Sequence, residues 1–148
     1  MQPGRLVRFV RADAAERSVF CTAVLSMNAV RLALPFVSVQ RIIALSNRLS
    51  RRWQARAAGT PDVERAARRI IQAKRFCPLS TCLSESIGAH FVMSRLGHES
   101  ELRIGVAKSG EKFEAHAWLE CEGNVIIGNA SPEGKQYVRM PSLPRFVA

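Results

Sequence analysis

The chain has 148 residues, of which 47% are hydrophobic, and a formal net charge of +10. This size and composition suit a globular domain whose core is stable without disulfides or metals, and they exclude a disordered chain and a coiled-coil rod. Residues 1–75 hold 15 basic and 4 acidic residues, a balance of +11, whereas residues 76–148 hold 7 and 8, a balance of −1. The two halves are therefore electrostatically different.

The first half predicts three helices. Asp13 and Glu16 have the spacing of a capping pair for a helix that should end at Leu34, before a proline. A second helix should begin after Ser38. For the third helix we expect Thr60 as the cap, with the following proline at the first helical position.

The second half predicts a helix followed by strands. Ser80 or Thr81 can cap a helix that continues to Leu96 and stops at a glycine. From there the pattern changes to alternation, and turns at residues 109–110 and 122–123 separate three strands. We therefore expect an α+β fold in which a helical N-terminal portion precedes a helix packed on an antiparallel sheet. The expected domains are residues 1–75 and residues 76–148.

The apolar run at residues 19–30 follows three arginines, in the order of a signal peptide. No small-residue cleavage site follows, and the longest apolar window includes Arg31, where a charge at mid-membrane costs at least ~2.5 kcal/mol. We expect a buried helix rather than a cleaved or spanning segment, and a cytoplasmic protein. Contact of a basic amphipathic helix with a membrane surface is an alternative.

Cys82 falls in the first turn of the fourth predicted helix. Unpaired amides and the positive end of the helix dipole favour a thiolate there, which is the state that a nucleophilic cysteine needs. Its backbone amide is the natural donor to an oxyanion. Taken alone the signal is weak, because a free cysteine is usually a small buried residue.

His116 strengthens the interpretation of Cys82 because it lies inside a predicted strand between two alanines, which let another element approach closely. Cysteine catalysis needs a thiolate, an imidazole and a third group that orients the imidazole. Asn129, just after the next strand, is the best-placed third group and would give a Cys-His-Asn set. Glu120 is a poorer candidate, because it lies about 13 Å from His116 along an extended strand.

Alternation places Trp118 and Glu120 on the same face as His116, so both are candidates for contact with a substrate. A tryptophan in this position is as often part of a core. The remaining cysteines, Cys21, Cys77 and Cys121, show no metal-ligand or redox spacing, and neither a metal nor another cofactor is expected.

Four segments of the second half resemble the transglutaminase-like leader peptidases of lasso-peptide biosynthesis. They are the cysteine segment LSTCLS, the helix after it, the strand LRIGV and the strand AHAWLE, and together they cover roughly residues 75–130. The cysteine segment and AHAWLE together are far more specific than either alone. The resemblance implies a transglutaminase-like or papain-like fold.

The resemblance also implies a cysteine protease that removes the leader from a ribosomally made precursor peptide. Cys82 would be the nucleophile and His116 the general base. The family commonly has an aspartate after the next strand, whereas this chain has no aspartate beyond Asp62 and carries Asn129 there. An asparagine could orient the imidazole without the anionic stabilisation that an aspartate supplies.

The implied partners are the precursor peptide, a separate leader-binding protein and an asparagine-synthetase-like macrocyclase. Some relatives fuse a leader-recognition domain ahead of the peptidase, and the three N-terminal helices leave no room for one here. Two alternatives remain open: acyl transfer to an amine on the same residues, or a module that binds nucleic acid or a membrane surface through the basic half. No nucleic-acid motif supports the latter, so we expect no nucleic-acid partner.

Overall fold

The computed structural model describes residues 13–54, 61–109, 112–128 and 137–140. This part of the chain forms helices α1 (Ala14–Ala33), α2 (Val39–Arg52), α3 (Val63–Lys74) and α4 (Cys82–Arg95), followed by strands β1 (Ser100–Ser109), β2 (Lys112–Cys121), β3 (Asn124–Ile127) and β4 (Val138–Arg139). The predicted α+β class and the order of helices before strands are confirmed.

The sheet is antiparallel with the strand order β3-β2-β1-β4. The predicted three-strand meander is confirmed, and its second turn has positive φ at Glu122 (52°) and Gly123 (79°). Two positive φ values in a two-residue loop match the twist of a hairpin. The two-residue strand β4, which pairs with β1, was not predicted.

The predicted start of α1 is confirmed, with Asp13 at the cap position, but the start of α3 is wrong. Asp13 makes no side-chain capping bond, and Glu16 is paired with Arg69 of α3, with 2.5 Å between Oε2 and Nη2. The predicted cap Thr60 lies outside the described residues. Helix α3 begins at Val63, where the Asp62 side chain accepts a hydrogen bond from the Arg65 amide at 2.8 Å.

Pro61 is consequently not the first residue of α3. It is buried before the cap, and its carbonyl accepts a hydrogen bond from His98 Nε2 at 3.1 Å. Helix α3 is capped by Asp62, so the preference of proline for the first helical position is not realised at Pro61.

Helix α4 is buried along most of its length and lies between the other helices and the sheet. Residues 84–89 are all buried, and Gly88 lies directly against α1. A Cβ at Gly88 would lie 2.7 Å from Met27 Cγ and 2.9 Å from the Met27 backbone, so only glycine permits this crossing. The Ser26 hydroxyl donates a hydrogen bond to the Gly88 carbonyl at 3.2 Å. The crossing thus fixes the position of α4 relative to α1.

One hydrophobic core joins the N-terminal helices to the sheet. It contains residues from α1, α3, α4, β2 and β3 (Val19, Ala23, Met27, Ala66, Ile70, Ala73, Ala89, Val92, Met93, Leu119, Cys121, Ile126 and Ile127) and also Cys77. The core crosses the predicted boundary at residues 75–76, and the division into two domains there stays a prediction. None of the described helices is both long and apolar enough to cross a membrane.

His90 links α4 to two other elements. Its Nε2 donates a hydrogen bond to Asn47 Oδ1, and its Nδ1 accepts one from Ser100 Oγ, each at 2.8 Å. Burial lowers the pKa of His90, because the charged ring would lose its hydration.

This pKa predicts a loss of stability in mild acid. The folded state prefers neutral His90, so its contribution is complete above the unfolded pKa of about 6.5 and is lost as the pH falls towards the lower folded pKa. Urea unfolding between about pH 7 and 5 should therefore show a falling free energy of unfolding. The variant His90→Gln, which cannot titrate there, should show a shallower slope, and equal slopes for the two proteins would contradict the prediction.

Candidate active site

Cys82 is the first residue of α4, at the end of the helix where backbone amides have no helical partner. Of the two predicted caps, Ser80 and Thr81, it is Thr81 that caps the helix. Its hydroxyl accepts a hydrogen bond from the Ser84 amide, and the Ser84 hydroxyl accepts one from the Thr81 amide at 2.9 Å. The Cys82 side chain is half-buried. The structure thus confirms the predicted position of Cys82 at the start of a helix.

His116 lies in β2, opposite Gly105 of β1. Its Nε2 atom is buried and has no hydrogen-bond partner among the described residues. A buried nitrogen without a partner costs about 1–3 kcal/mol, so a hydrogen bond to a group from outside the described residues would stabilise this atom.

Cys82 and His116 line the same cavity, which has a volume of about 550 Å³. We call it the Cys-His cavity, and its lining residues are Lys74, Cys77, Pro78, Ser80, Cys82, Glu85, His116 and Gly128. The fold therefore brings together the two residues that the sequence predicts as nucleophile and base, although they are far apart in the chain.

Asn129 lies outside the described residues, so its predicted role as the third catalytic group stays a prediction. Gly128, the residue before it, lines the Cys-His cavity and has a φ of +73°. A Cβ on Gly128 would lie 2.8 Å from the Ala117 carbonyl oxygen and 2.9 Å from Trp118 Cβ. Glycine is therefore required for the chain after β3 to pass this close to β2.

Two aromatic rings hold the imidazole of His116. Its centroid lies 6.2 Å from that of Trp118, with the planes 21° apart, and 5.5 Å from that of Tyr137, with the planes 44° apart. Gly105 makes room for both rings, because a Cβ there would lie 2.9 Å from Trp118 Cζ3 and 2.9 Å from Tyr137 Cβ. We call Trp118, Tyr137 and Gly105 the aromatic cradle.

Trp118 and Glu120 do not line the Cys-His cavity, and their predicted contact with substrate stays a prediction. Trp118 is 1% exposed, and its indole Nε1 donates a hydrogen bond to Glu120 Oε1 at 2.8 Å. Arg103 Nε donates to Glu120 Oε2 at 3.1 Å, and Arg139 Nη2 lies 3.0 Å from Oε1. Glu120 thereby fixes the indole that supports His116.

The pKa of Glu120 reflects these contacts. Burial alone raises it, but the hydrogen bonds from Trp118 and Arg103 and the charges of Arg139 and Arg103 outweigh burial and lower the pKa. Glu120 is therefore a carboxylate at neutral pH, with its oxygens occupied by structural partners. Arg139 also lies over the Trp118 ring, 6.0 Å from its centroid.

Glu85 is a cavity residue that was not predicted from the sequence. It lies three residues after Cys82, is 5% exposed, accepts a hydrogen bond from Ser80 Oγ at 2.6 Å and pairs with Lys74 Nζ at 3.0 Å. Its separation from Cys82 by about one helical turn was the available signal, since such residues share a helix face. Tyr137 and Gly105 were missed too, because only the tertiary fold brings them to His116.

Two of the other cysteines, Cys77 and Cys121, have a raised thiol pKa. Burial raises the pKa of the Cys77 thiol, a hydrogen bond from Asn28 lowers it in part, and the charge of Glu85 raises it further. Burial also raises the pKa of Cys121, with the Glu122 charge acting in the same direction. All four cysteines are free. Within the described ranges, no group of three or more His, Cys, Asp or Glu residues could hold a metal ion.

Comparison with known proteins gives a match to one family model, which is described as the transglutaminase-like superfamily and covers residues 26–142. Neither a curated protein nor a solved structure matches the chain. The matched range begins within α1 and ends beyond β4, so it includes both residues of the Cys-His cavity that the sequence predicts as catalytic.

The aromatic cradle predicts a local effect for Gly105→Ala. The added methyl group must displace Trp118 and Tyr137, so the free energy of unfolding should fall by about 1–3 kcal/mol. The fluorescence of Trp118, measured in a Trp53→Phe background, should change with it.

Gly123→Ala is the matched control for this prediction. Its Cβ would meet no atom within 4 Å, and it strains only a turn with φ +79°. It should destabilise the protein without changing the Trp118 emission. If the Trp118 emission of Gly105→Ala equals that of the parent protein, the aromatic cradle is packed less closely than in the structure.

Proposed function

Because the chain belongs to the transglutaminase-like superfamily, whose fold in general serves cysteine proteases and acyltransferases, we propose that it is a cysteine peptidase. Its proposed substrate is the leader-bearing precursor of a lasso peptide. The observation that carries the proposal is the shared cavity of Cys82, at a helix start, and His116, whose buried Nε2 has no partner among the described residues.

The proposed reaction begins when His116 removes the thiol proton of Cys82. The thiolate attacks the carbonyl carbon of the scissile peptide bond, and the oxyanion that forms accepts a hydrogen bond from the Cys82 backbone amide. The imidazolium then gives its proton to the leaving amine, which departs as the amino terminus of the core peptide. A thioester between Cys82 and the leader remains.

Hydrolysis completes the proposed cycle. His116 takes a proton from water, the resulting hydroxide attacks the thioester carbonyl, and the C–S bond breaks. The leader leaves with a new carboxyl group, and the proton on His116 returns to Cys82. The sequence of steps needs no cofactor or metal.

In this proposal, two sets of groups orient the His116 ring. The two rings of the aromatic cradle restrict the imidazole by packing, at 5.5 Å and 6.2 Å between centroids. Asn129 would act from the edge, by accepting or donating a hydrogen bond at the ring nitrogen that does not face Cys82. Since an asparagine is neutral, packing would carry a larger share of the orientation than in an enzyme with an aspartate.

The biological setting follows from the resemblance of residues 75–130. We propose a cytoplasmic processing step in which a separate leader-binding protein delivers the precursor, and an asparagine-synthetase-like macrocyclase uses the freed amino terminus. Residues 1–75 would then contribute docking surface and cover for the peptidase half. The charge of +11 on those residues supports a role in docking.

The proposal predicts that Cys82→Ala and His116→Ala each lower precursor cleavage by roughly 10³-fold or more, because each removes a member of the catalytic set. The substrates are synthetic precursors encoded by short reading frames next to the gene, with and without the candidate leader-binding protein. Mass spectrometry measures the leader and the core peptide.

Cys21→Ala is the matched control, since it removes an exposed thiol outside the cavity and should leave cleavage unchanged. Circular dichroism must show that every variant is folded. Normal processing by folded Cys82→Ala would refute the peptidase proposal. Reaction of Cys82 with iodoacetamide tests the reactive thiol even where no precursor is cleaved.

Acyl transfer to an amine is the second candidate, because the same thioester can be attacked by an amine and the fold also serves acyltransferases. Under the peptidase proposal, 10- to 100-fold molar excesses of methylamine over substrate should leave the hydrolysed leader as the sole product. An N-methylamide at the leader's new C-terminus, lost in Cys82→Ala, would favour the transferase instead.

A further inference from the structure

A second concavity lies between α1, α2 and α4 and has a volume of about 520 Å³. We call it the helical groove. It takes residues from all three helices and from the segment between α1 and α2: Thr22, Leu25, Ser26, Ala29, Val30, Ala33, Val37, Ile42, Leu45, Ser46, Leu49, Trp53, Phe91 and Arg95. None of them lines the Cys-His cavity. Most of the lining is apolar, which distinguishes the groove from an ordinary solvated cleft.

Large side chains along the helical groove are exposed to solvent. Leu25 is 71% exposed, Trp53 58% and Leu45 55%. Leu45 and Trp53 are on α2 or at its end, and Leu25 faces them from α1. Single exposed apolar residues need no explanation, but several of them around one concavity are typical of a binding surface.

Arginines border the apolar residues of α2. Arg41, Arg48 and Arg52, which we call the arginine stripe, are seven and four residues apart and therefore lie on one side of the helix, next to Leu45. All three are exposed, and none makes an ion pair with another described residue. Helix α2 contains no acidic residue.

The arginines of α3 differ from the arginine stripe. Arg68 pairs with Glu64 and Arg69 with Glu16, so much of the positive charge on α3 is neutralised within the fold. The arginine stripe has no such counterpart among the described residues. It is therefore available for a partner of opposite charge.

Charge also argues against an occupant from this chain. Residues 1–12 contain three arginines and no acidic residue, and residues 141–148 contain one arginine and no acidic residue. A second copy with a net charge of +10 would place one arginine stripe near another. Each of these occupants would bring positive charge to an already positive rim.

We propose that the helical groove binds an acidic amphipathic helix of a partner protein. The apolar face of that helix packs against Leu25, Leu45 and Trp53, and its carboxylates pair with the arginine stripe. The α4 residues that line the groove, Phe91 and Arg95, lie about 13 Å or more along the helix axis from Cys82. The helical groove and the Cys-His cavity share no lining residue, and the proposed binding does not depend on the proposed peptidase activity.

The test is selection from a display library of 20-residue peptides that is unbiased in charge. The full-length protein is the bait, and a Leu25→Asp/Leu45→Asp variant, checked for folding, is the counter-selection. We expect enriched peptides with apolar residues at helical spacing and a net negative charge. Enrichment of neutral or basic peptides, or none that depends on the two leucines, would overturn the proposal.

Affinity measurements on an enriched peptide test the arginine stripe separately. Fluorescence anisotropy at low salt should show about a tenfold or greater loss of affinity in Arg48→Glu/Arg52→Glu. Lys108→Glu/Lys112→Glu is the matched control, because it changes the net charge equally at exposed positions in the sheet, away from the groove. An equal loss in both variants would indicate a nonspecific charge effect and overturn the proposal.

Two alternative occupants are checked by other measurements. Sedimentation equilibrium that shows a dimer dissociated by Leu25→Asp/Leu45→Asp would assign the groove to a second copy of this chain. Displacement of the enriched peptide by a DNA or RNA duplex, lost in Arg48→Glu/Arg52→Glu, would assign the stripe to a nucleic acid. Either result would replace the acidic helix as the occupant.

Discussion

The close crossing of α1 and α4 at Gly88 is the contact on which the position of Cys82 depends. Met27 occupies the space that a side chain at Gly88 would need, with Cγ only 2.7 Å from the place of its Cβ. A larger residue would push α4 away from α1, and the first turn of α4 would move with it. Because close-packed interiors relax little, such a shift would change the Cys-His cavity directly.

Burial of α4 requires that its polar residues find partners within the protein. Ser84 completes the capping box, the Ser86 hydroxyl donates to the Cys82 carbonyl at 2.7 Å, and Glu85 is bonded to Ser80 and Lys74. These bonds lie in the first turn and a half of the helix, around the candidate nucleophile. The hydrogen bonds that offset the cost of burying polar groups at this helix end therefore also hold Cys82 in place.

Local signals in the sequence predicted much of the fold. Thr81 and Gly97 define the ends of α4 through a capping box and a glycine with φ +84°, both of which depend on nearby residues alone. The sequence does not decide where α3 begins, because Thr60 and Asp62 are both good caps; in the structure Asp62 caps the helix, and the Pro61 carbonyl before it is bonded to the distant His98. Cys82 and His116 were predictable as candidate catalytic residues, from the position of Cys82 at a helix start and of His116 within a strand. Glu85 and Tyr137 were not, because their contacts at the site form only when separate elements pack together.

The positions of the charged residues in the structure narrow the kinds of partner that the positive charge indicates. From the sequence, the positive charge belongs to the whole first half, and it suggests a polyanion as readily as a protein. In the structure, Glu16 and Glu64 neutralise arginines of α3, while Arg41, Arg48 and Arg52 on α2 have no acidic partner among the described residues and stand beside exposed leucines. A polyanion would use the charge but would leave the apolar groove uncovered, whereas an acidic amphipathic helix satisfies both. The combination of the two features on α2, rather than the net charge, therefore favours a protein partner.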